Sequence, residues 1–173
     1  KVVYSNSGLA TVNLVASDTG NTDTETKADY ITINATPAAF AGNDVAICVG
    51  GSVNLTATGG GTYLWNTGDT SASINVSPIV DSLYSVTVTN NSCTDVDDVL
   101  VSVDSIPLVN LQNQTFCTGI SATLDAGSGF NEYLWSNGDT TQSISVSVAG
   151  TYTVTVTASA SCFTVDSAVV TQS

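Results

Sequence analysis

Histidine, arginine and methionine are absent from this chain of 173 residues, and its basic side chains are two lysines, Lys1 and Lys27. From Ala28 to the C-terminus no side chain carries a positive charge. That excludes nucleic acid as a partner, because nothing can replace the counterions condensed on a phosphate backbone. It excludes docking on an anionic membrane surface on the same ground. Without histidine or arginine, no Ser-His-Asp or Cys-His arrangement can be assembled. The acidic residues lie in turns or beside Thr and Ser, where they stay solvated, whereas a carboxyl acid catalyst needs an apolar pocket to raise its pKa. The chain is therefore not expected to be an enzyme, and no cofactor is expected. No apolar run reaches 18 residues, so no membrane-inserted segment is expected. The chain opens mid-pattern, with neither a methionine nor a signal peptide, and reads as a mature or excised piece of something longer.

What is present is acidic and dilute. Fifteen carboxylates give a formal net charge of −13, yet charged residues make up 10% of the chain and hydrophobic ones 42%. This composition describes a neutral-polar β surface with sparse carboxylates, soluble and self-repelling at low salt. Asp95, Asp97 and Asp98 form a local cluster, and Asp18, Asp23, Glu25 and Asp29 a looser one. Both are weak candidates for calcium, which wants six to eight oxygens. Neither has an EF-hand spacing, and Asp95 and Asp97 are expected on one face of a strand. The competing reading is a solvated acidic edge that deters uncontrolled sheet pairing.

One stretch occurs twice, as Tyr63-Leu-Trp-Asn-Thr-Gly-Asp-Thr70 and Tyr133-Leu-Trp-Ser-Asn-Gly-Asp-Thr140. Each copy has a cysteine upstream (Cys48, Cys117), an alternating strand downstream (Tyr84 to Val88, Tyr152 to Val156) and a second cysteine after that strand (Cys93, Cys162). Both cysteine pairs are 45 residues apart, and each cysteine of the second pair follows its counterpart by 69. The chain is a tandem β repeat with units near the lower limit at which one core is adequate. Small units often recruit a crosslink. The equal spacing fits one disulfide per repeat, Cys48 with Cys93 and Cys117 with Cys162, in an oxidising compartment. Reduced, buried thiols are the alternative.

The fold expected is all-β, a rod of small sandwich domains without helix. Residues 1–36 read as the last two strands of an incomplete domain. The strands are Gly8–Ser17, with Ala10, Val12, Leu14 and Ala16 on one face, and Tyr30–Asn34, after a polar turn from Asp18 to Asp29. The first full unit is expected over 37–104, opening at Pro37, and the second over 105–173. Their inward positions are Val53, Leu55 and Ala57 in the first and Ala122, Leu124 and Ala126 in the second. Asn66-Thr-Gly-Asp69 and Asn137-Gly138 carry the composition of tight hairpin turns. Trp65 and Trp135 are expected in the cores, the alternative being exposed rings that stack on sugar. Tyr84 and Tyr152 alternate in phase with inward valines and are expected in the cores as well.

Several of these segments, Ala41-Gly-Asn-Asp-Val-Ala-Ile-Cys48, Gly51-Ser-Val-Asn-Leu-Thr-Ala-Thr58, the Tyr-Leu-Trp turns and Gly150-Thr-Tyr-Thr-Val-Thr-Val-Thr157, carry a resemblance. The chain resembles the tandem immunoglobulin-like and PKD-like domains of Bacteroidota cell-surface proteins, and Gly8 to Asn34 is similar to the closing strands of a PKD domain. The resemblance implies type IX export, extracellular display, and roles in adhesion, gliding or fibres. It also implies O-glycosylation at Asp-Ser/Thr motifs, whose acceptors here are Ser82, Ser105, Thr140 and Ser167, with Ser105 in the linker favoured. The C-terminal sorting domain usual in such proteins is not found in this sequence. The expected function is a stalk or fibre segment whose partners are neighbouring copies of the same repeat or subunit. Within it, the opening hairpin would add a strand to a neighbour. The alternative is an adhesin module recognising glycans or a cell surface through Gly59–Thr62 and Gly127–Asn131.

Overall fold

The computed structural model describes residues 6–159 and 162–173; the first five residues of the expected opening segment and residues 160–161 lie outside the described residues. Among the described residues the regular elements are strands, with no α-helix. In order they are β1 (Gly8–Asp18), β2 (Asn21–Ile33), β3 (Val45–Cys48), β4 (Val53–Thr56), β5 (Thr62–Trp65), β6 (Ser73–Val76) and β7 (Ser82–Asn90). There follow β8 (Cys93–Asp104), β9 (Gln114–Phe116), β10 (Ala122–Asp125), β11 (Glu132–Trp135), β12 (Ser143–Val146), β13 (Gly150–Thr157) and β14 (Phe163–Gln172).

The six strands β3–β8 and the six strands β9–β14 follow one plan. Each set makes a four-stranded sheet, β3-β8-β7-β5 or β9-β14-β13-β11, and a two-stranded sheet, β4-β6 or β10-β12. The short first strand lies parallel to the last in both, Val45 opposite Val101 and Gln114 opposite Val170, while the other pairings described are antiparallel. This is the layout of tandem immunoglobulin-like β-sandwiches. Alternation of apolar and polar residues along each strand buries one face and leaves the other wet.

By packing, the chain divides into two compact units. One comprises the chain up to Asn43 with Asn54–Ile74 and Leu83–Val99. Its buried apolar residues are Ala41, Leu55, Ala57, Trp65, Ile74, Val86, Val88 and Val99. The other comprises Asp44–Val53, Asn75–Ser82 and Leu100–Ser173. Its cluster runs from Leu111 and Phe116 through Leu124, Trp135, Ile144, Val154 and Val156 to Val170, with Phe130, Tyr133 and Tyr152 packed against it. Pro37 and Pro107, at the expected junctions, are both buried.

Two sequence expectations give way here. The polar stretch from Asp18 to Asp29 is not a turn. Thr19-Gly20 alone makes the turn, and β2 pairs with β1 from Asn21 opposite Asp18 up to Ile33 opposite Gly8. Backbone pairing, with Thr-rich polar positions on both wet faces, sustains a strand that has no apolar signature. The second correction concerns Asn66–Asp69 and Asn137-Gly138, which are not hairpin turns. β5 pairs with β7 and β11 with β13, while β6 and β12 lie in the opposite sheets. Each loop therefore carries the chain from one sheet to the other.

Candidate functional site

The Trp-centred loops are built by the indole and one glycine. Trp65 and Trp135 are 1% and 2% exposed, and each Nε1–H donates across the loop, to the Ser71 carbonyl at 3.0 Å and the Thr141 carbonyl at 2.8 Å. The backbone closes on the same residues: Gly68 N–H donates to the Trp65 carbonyl and Gly138 N–H to the Trp135 carbonyl, both at 2.9 Å. The glycines sit at φ +90° and +88°, in the left-handed region. Tyr84 and Tyr152 are half-buried; the Tyr152 hydroxyl donates to the Val148 carbonyl at 3.0 Å. The two indoles fill cores and offer no stacking face, while the two tyrosines stay partly exposed.

Several carboxylates are hydrogen-bonded to backbone N–H groups rather than simply solvated. Asp95 and Asp97 share a face of β8, as their spacing requires, and Asp98 falls on the other. Asp95 Oδ2 accepts the Ala39 N–H at 2.8 Å and Asp97 Oδ2 the Ala41 N–H at 2.9 Å. In the second repeat Asp166 Oδ2 accepts the Leu111 N–H at 2.7 Å. Asp44 accepts the Leu100 N–H at 2.9 Å, and Asn113, at the equivalent position, accepts that of Val169 at 2.8 Å. Side-chain oxygens thus substitute for ladder carbonyls where the strand leading into each repeat is irregular. No group of three or more potential ligands converges on a metal site among the described residues. Two acids have pKa values lowered from 3.8. For Asp125 the cause is chiefly the Gln142 amide, then the Gly127 N–H. For Asp139 it is chiefly the Thr141 hydroxyl, then its N–H.

The cysteines overturn the pairing read from their spacing. Cys48 is bonded to Cys162, with Cα atoms 5.6 Å apart, and Cys93 and Cys117 are free. Strand register gives the reason. Cys117 follows Phe116, which lies opposite Gln172 at the end of β14, whereas Cys162 precedes Phe163 at its start. About ten residues of strand, roughly 33 Å at the usual rise, separate the two thiols. In the first repeat Cys48 lies opposite Asp104, at the far end of β8 from Cys93. A disulfide tolerates only about 7 Å between Cα atoms, so a bond within either repeat is impossible.

Each repeat therefore has one cysteine at each end of its last strand. Cys48 and Cys117 each open a tight turn, closed by Gly51 N–H to the Cys48 carbonyl at 2.8 Å and by Ile120 N–H to the Cys117 carbonyl at 3.0 Å. The third residues of these turns, Gly50 and Gly119, have φ +82° and +83°. Cys93 is the first residue of β8, and Cys162 lies directly ahead of β14. Cys93 follows Asn91-Ser92, both with positive φ, and its Sγ lies 3.9 Å from the Asn34 carbonyl.

The acceptor residues implied for glycosylation are dispersed. Ser105 is exposed between β8 and β9, and Thr140 is exposed just after the Trp135 loop. Ser82 opens β7 with its hydroxyl bonded to the Val80 carbonyl, and Ser167 lies within β14. On the outer face of β11 and β13 an open groove of about 500 Å³ is lined by residues including Glu132, Leu134, Thr140, Thr155 and Thr157. The loop singled out from the sequence, Gly127–Asn131, reaches the groove with Asn131, as does Thr140, whereas the strand positions Glu132, Leu134, Thr155 and Thr157 look like ordinary surface and were not found.

No family model matches the chain, and no curated protein sequence matches it. Solved structures do. A crystal structure of consecutive titin domains aligns with 94% of this chain and 73% of its own, at 12% identity and a TM-score of 0.51. An I-band fragment of titin aligns at 14% identity and a TM-score of 0.49, and extracellular domains of Drosophila OTK at 10% and 0.48. The chain spans 66% of that titin fragment and 60% of the OTK fragment. The first similarity is one of fold: tandem immunoglobulin-like domains.

Proposed function

We propose that the chain is a stalk or fibre segment of an extracellular bacterial surface protein, exported by the type IX route, with domains over 37–104 and 105–173. The observation that carries this reading is the Cys48–Cys162 bond, which ties β3 of the first repeat to the β13–β14 connection of the second. A crosslink between repeats is of use where successive modules must keep their connection, and disulfides persist in oxidising, extracytosolic surroundings. Residues 1–36 are the closing strands of a further domain. Their sheet has two strands, with Leu9, Leu14, Val15 and Tyr30 exposed, and two strands alone are marginal in water. Strand addition from a neighbouring subunit would complete it. Ser105 and Thr140, exposed outside strands, are the favoured glycan acceptors.

The test is negative-stain electron microscopy of the protein as isolated from its source, with and without reductant. Long regular fibres, or uniform elongated particles that loosen on reduction, are the expected result. Compact particles unchanged by reductant would overturn the reading. The groove beside Leu134 favours a second one, an adhesin module that seats a glycan on Thr hydroxyls and Glu132. Retention on a glycan array that is lost in Leu134→Asp, with the unfolding midpoint kept, would establish it.

A further inference from the structure

The two free cysteines occupy the same two positions as the bonded pair. Cys117 stands in the second repeat where Cys48 stands in the first, each opening a glycine turn directly after the first strand. Cys93 stands in the first repeat where Cys162 stands in the second, 69 residues on, at the start of the last strand or directly ahead of it. The one bond present joins the first-strand cysteine of one repeat to the last-strand cysteine of the next. It leaves Cys117 exposed and Cys93 half-buried, both unbonded.

We propose that the same bond recurs between molecules, Cys117 of one copy pairing with Cys93 of a second copy, so that subunits join head to tail covalently. The inference rests on the stalk or fibre reading and gives it a linkage chemistry. A bond between two different sites of one molecule, repeated head to tail, is a heterologous contact and extends as a chain wherever its rotation does not close a ring. The partner is a second copy because the cysteine that answers a first-strand cysteine in this structure belongs to the same kind of repeat. The strand register that forbids Cys48–Cys93 and Cys117–Cys162 leaves each free thiol without a partner inside its own repeat.

The step is thiol–disulfide exchange with an oxidised low-molecular-weight disulfide. The Cys117 thiolate attacks that disulfide, forming a mixed disulfide and releasing one small thiol. The Cys93 thiolate of the next copy then displaces the second. Two protein thiols are oxidised to one disulfide, one small disulfide is reduced to two thiols, and the two protons lost by the protein thiols pass to the small ones.

The test is to incubate the whole 173-residue chain, with Cys48–Cys162 intact, in glutathione disulfide. Products are read on a non-reducing gel and by mass spectrometry of the linked peptides. A ladder of oligomers is expected, with Cys117–Cys93 peptides at least tenfold over Cys117–Cys117 and Cys93–Cys93. Cys117→Ser alone and Cys93→Ser alone should each remain monomeric, and their mixture should stop at the dimer, since each supplies one of the two thiols. Symmetric pairs in comparable yield, a Cys93–Cys117 bond within one chain, or no crosslink would each overturn the proposal. Electron microscopy of the same samples separates the two readings: fibres without the Cys117–Cys93 bond would sink this linkage and leave the fibre standing.

Discussion

Single side chains here do work that the backbone leaves undone. Asp97 and Asp166 each accept the N–H of a buried residue, Ala41 or Leu111. Replacing either with alanine strands a buried donor, and about 1–3 kcal/mol of stability should be lost in urea unfolding. Alanine at exposed Asp98 should change it by less than about 0.5 kcal/mol. The lowered pKa values of Asp125 and Asp139 fix a direction in pH. Their hydrogen bonds favour the ionised form, so the unfolded chain takes up protons first as pH falls through 3.8. The urea midpoint should be flat from neutrality down to about pH 5 and fall below about pH 4. A double variant, Asp125→Asn with Asp139→Asn, should show a shallower fall; an unchanged profile would remove these two acids from the account. The indole burial was legible in the Tyr-Leu-Trp stretch, whereas the carboxylate acceptors were not. An aspartate that caps a neighbouring segment's N–H has the same local sequence as one facing water, and the Ala41-to-Asp97 partnership spans 56 residues.

At the scale of elements, the repeat plan follows from alternation in β4, β7 and their counterparts, and the sequence carries it openly. The partner of each strand is less open, because composition reports that a chain turns and not which sheet it joins. Asn-Gly between two short strands is a strong hairpin signal, yet at Asn137-Gly138 the indole of Trp135 bonds across the loop and β12 crosses to β10. The glycines separate conformation from space. Gly138 has φ +88°, and a methyl group added there would meet nothing within 4 Å, so Gly138→Ala should cost about 1 kcal/mol, from backbone conformation alone. A Cβ on Gly61 would overlap the Thr89 carbonyl, opposite the start of β5. Gly61→Ala should therefore cost roughly 3 kcal/mol through displaced backbone. Thermal unfolding of the two variants ranks them, and equal losses would contradict the steric account.

For the molecule as a whole, the cysteine spacing pointed to two disulfides within repeats, whereas one is present, between other partners, and two thiols are free. Equal intervals report duplication, while pairing depends on which ends of a sandwich meet, and that follows from the parallel pairing of first and last strands. Closing a loop with a sequence separation of 114 is worth about 5 kcal/mol in the chain-entropy model. Reduction, or Cys162→Ser, should lower the unfolding free energy by up to that amount, whereas Cys93→Ser and Cys117→Ser should leave it within about 0.5 kcal/mol. The position of the bond also decides where tension would run. A pull on the two termini enters through the opening hairpin and β3, passes from Cys48 through the sulfur bridge to Cys162, and leaves along β14. The intervening stretch hangs outside that path as slack, roughly 400 Å of contour length that no load can draw out until the bridge is reduced. The covalent path of the pull then bypasses most of both repeats, which feel it only through the hydrogen bonds of β8, β9 and β13 to the loaded strands.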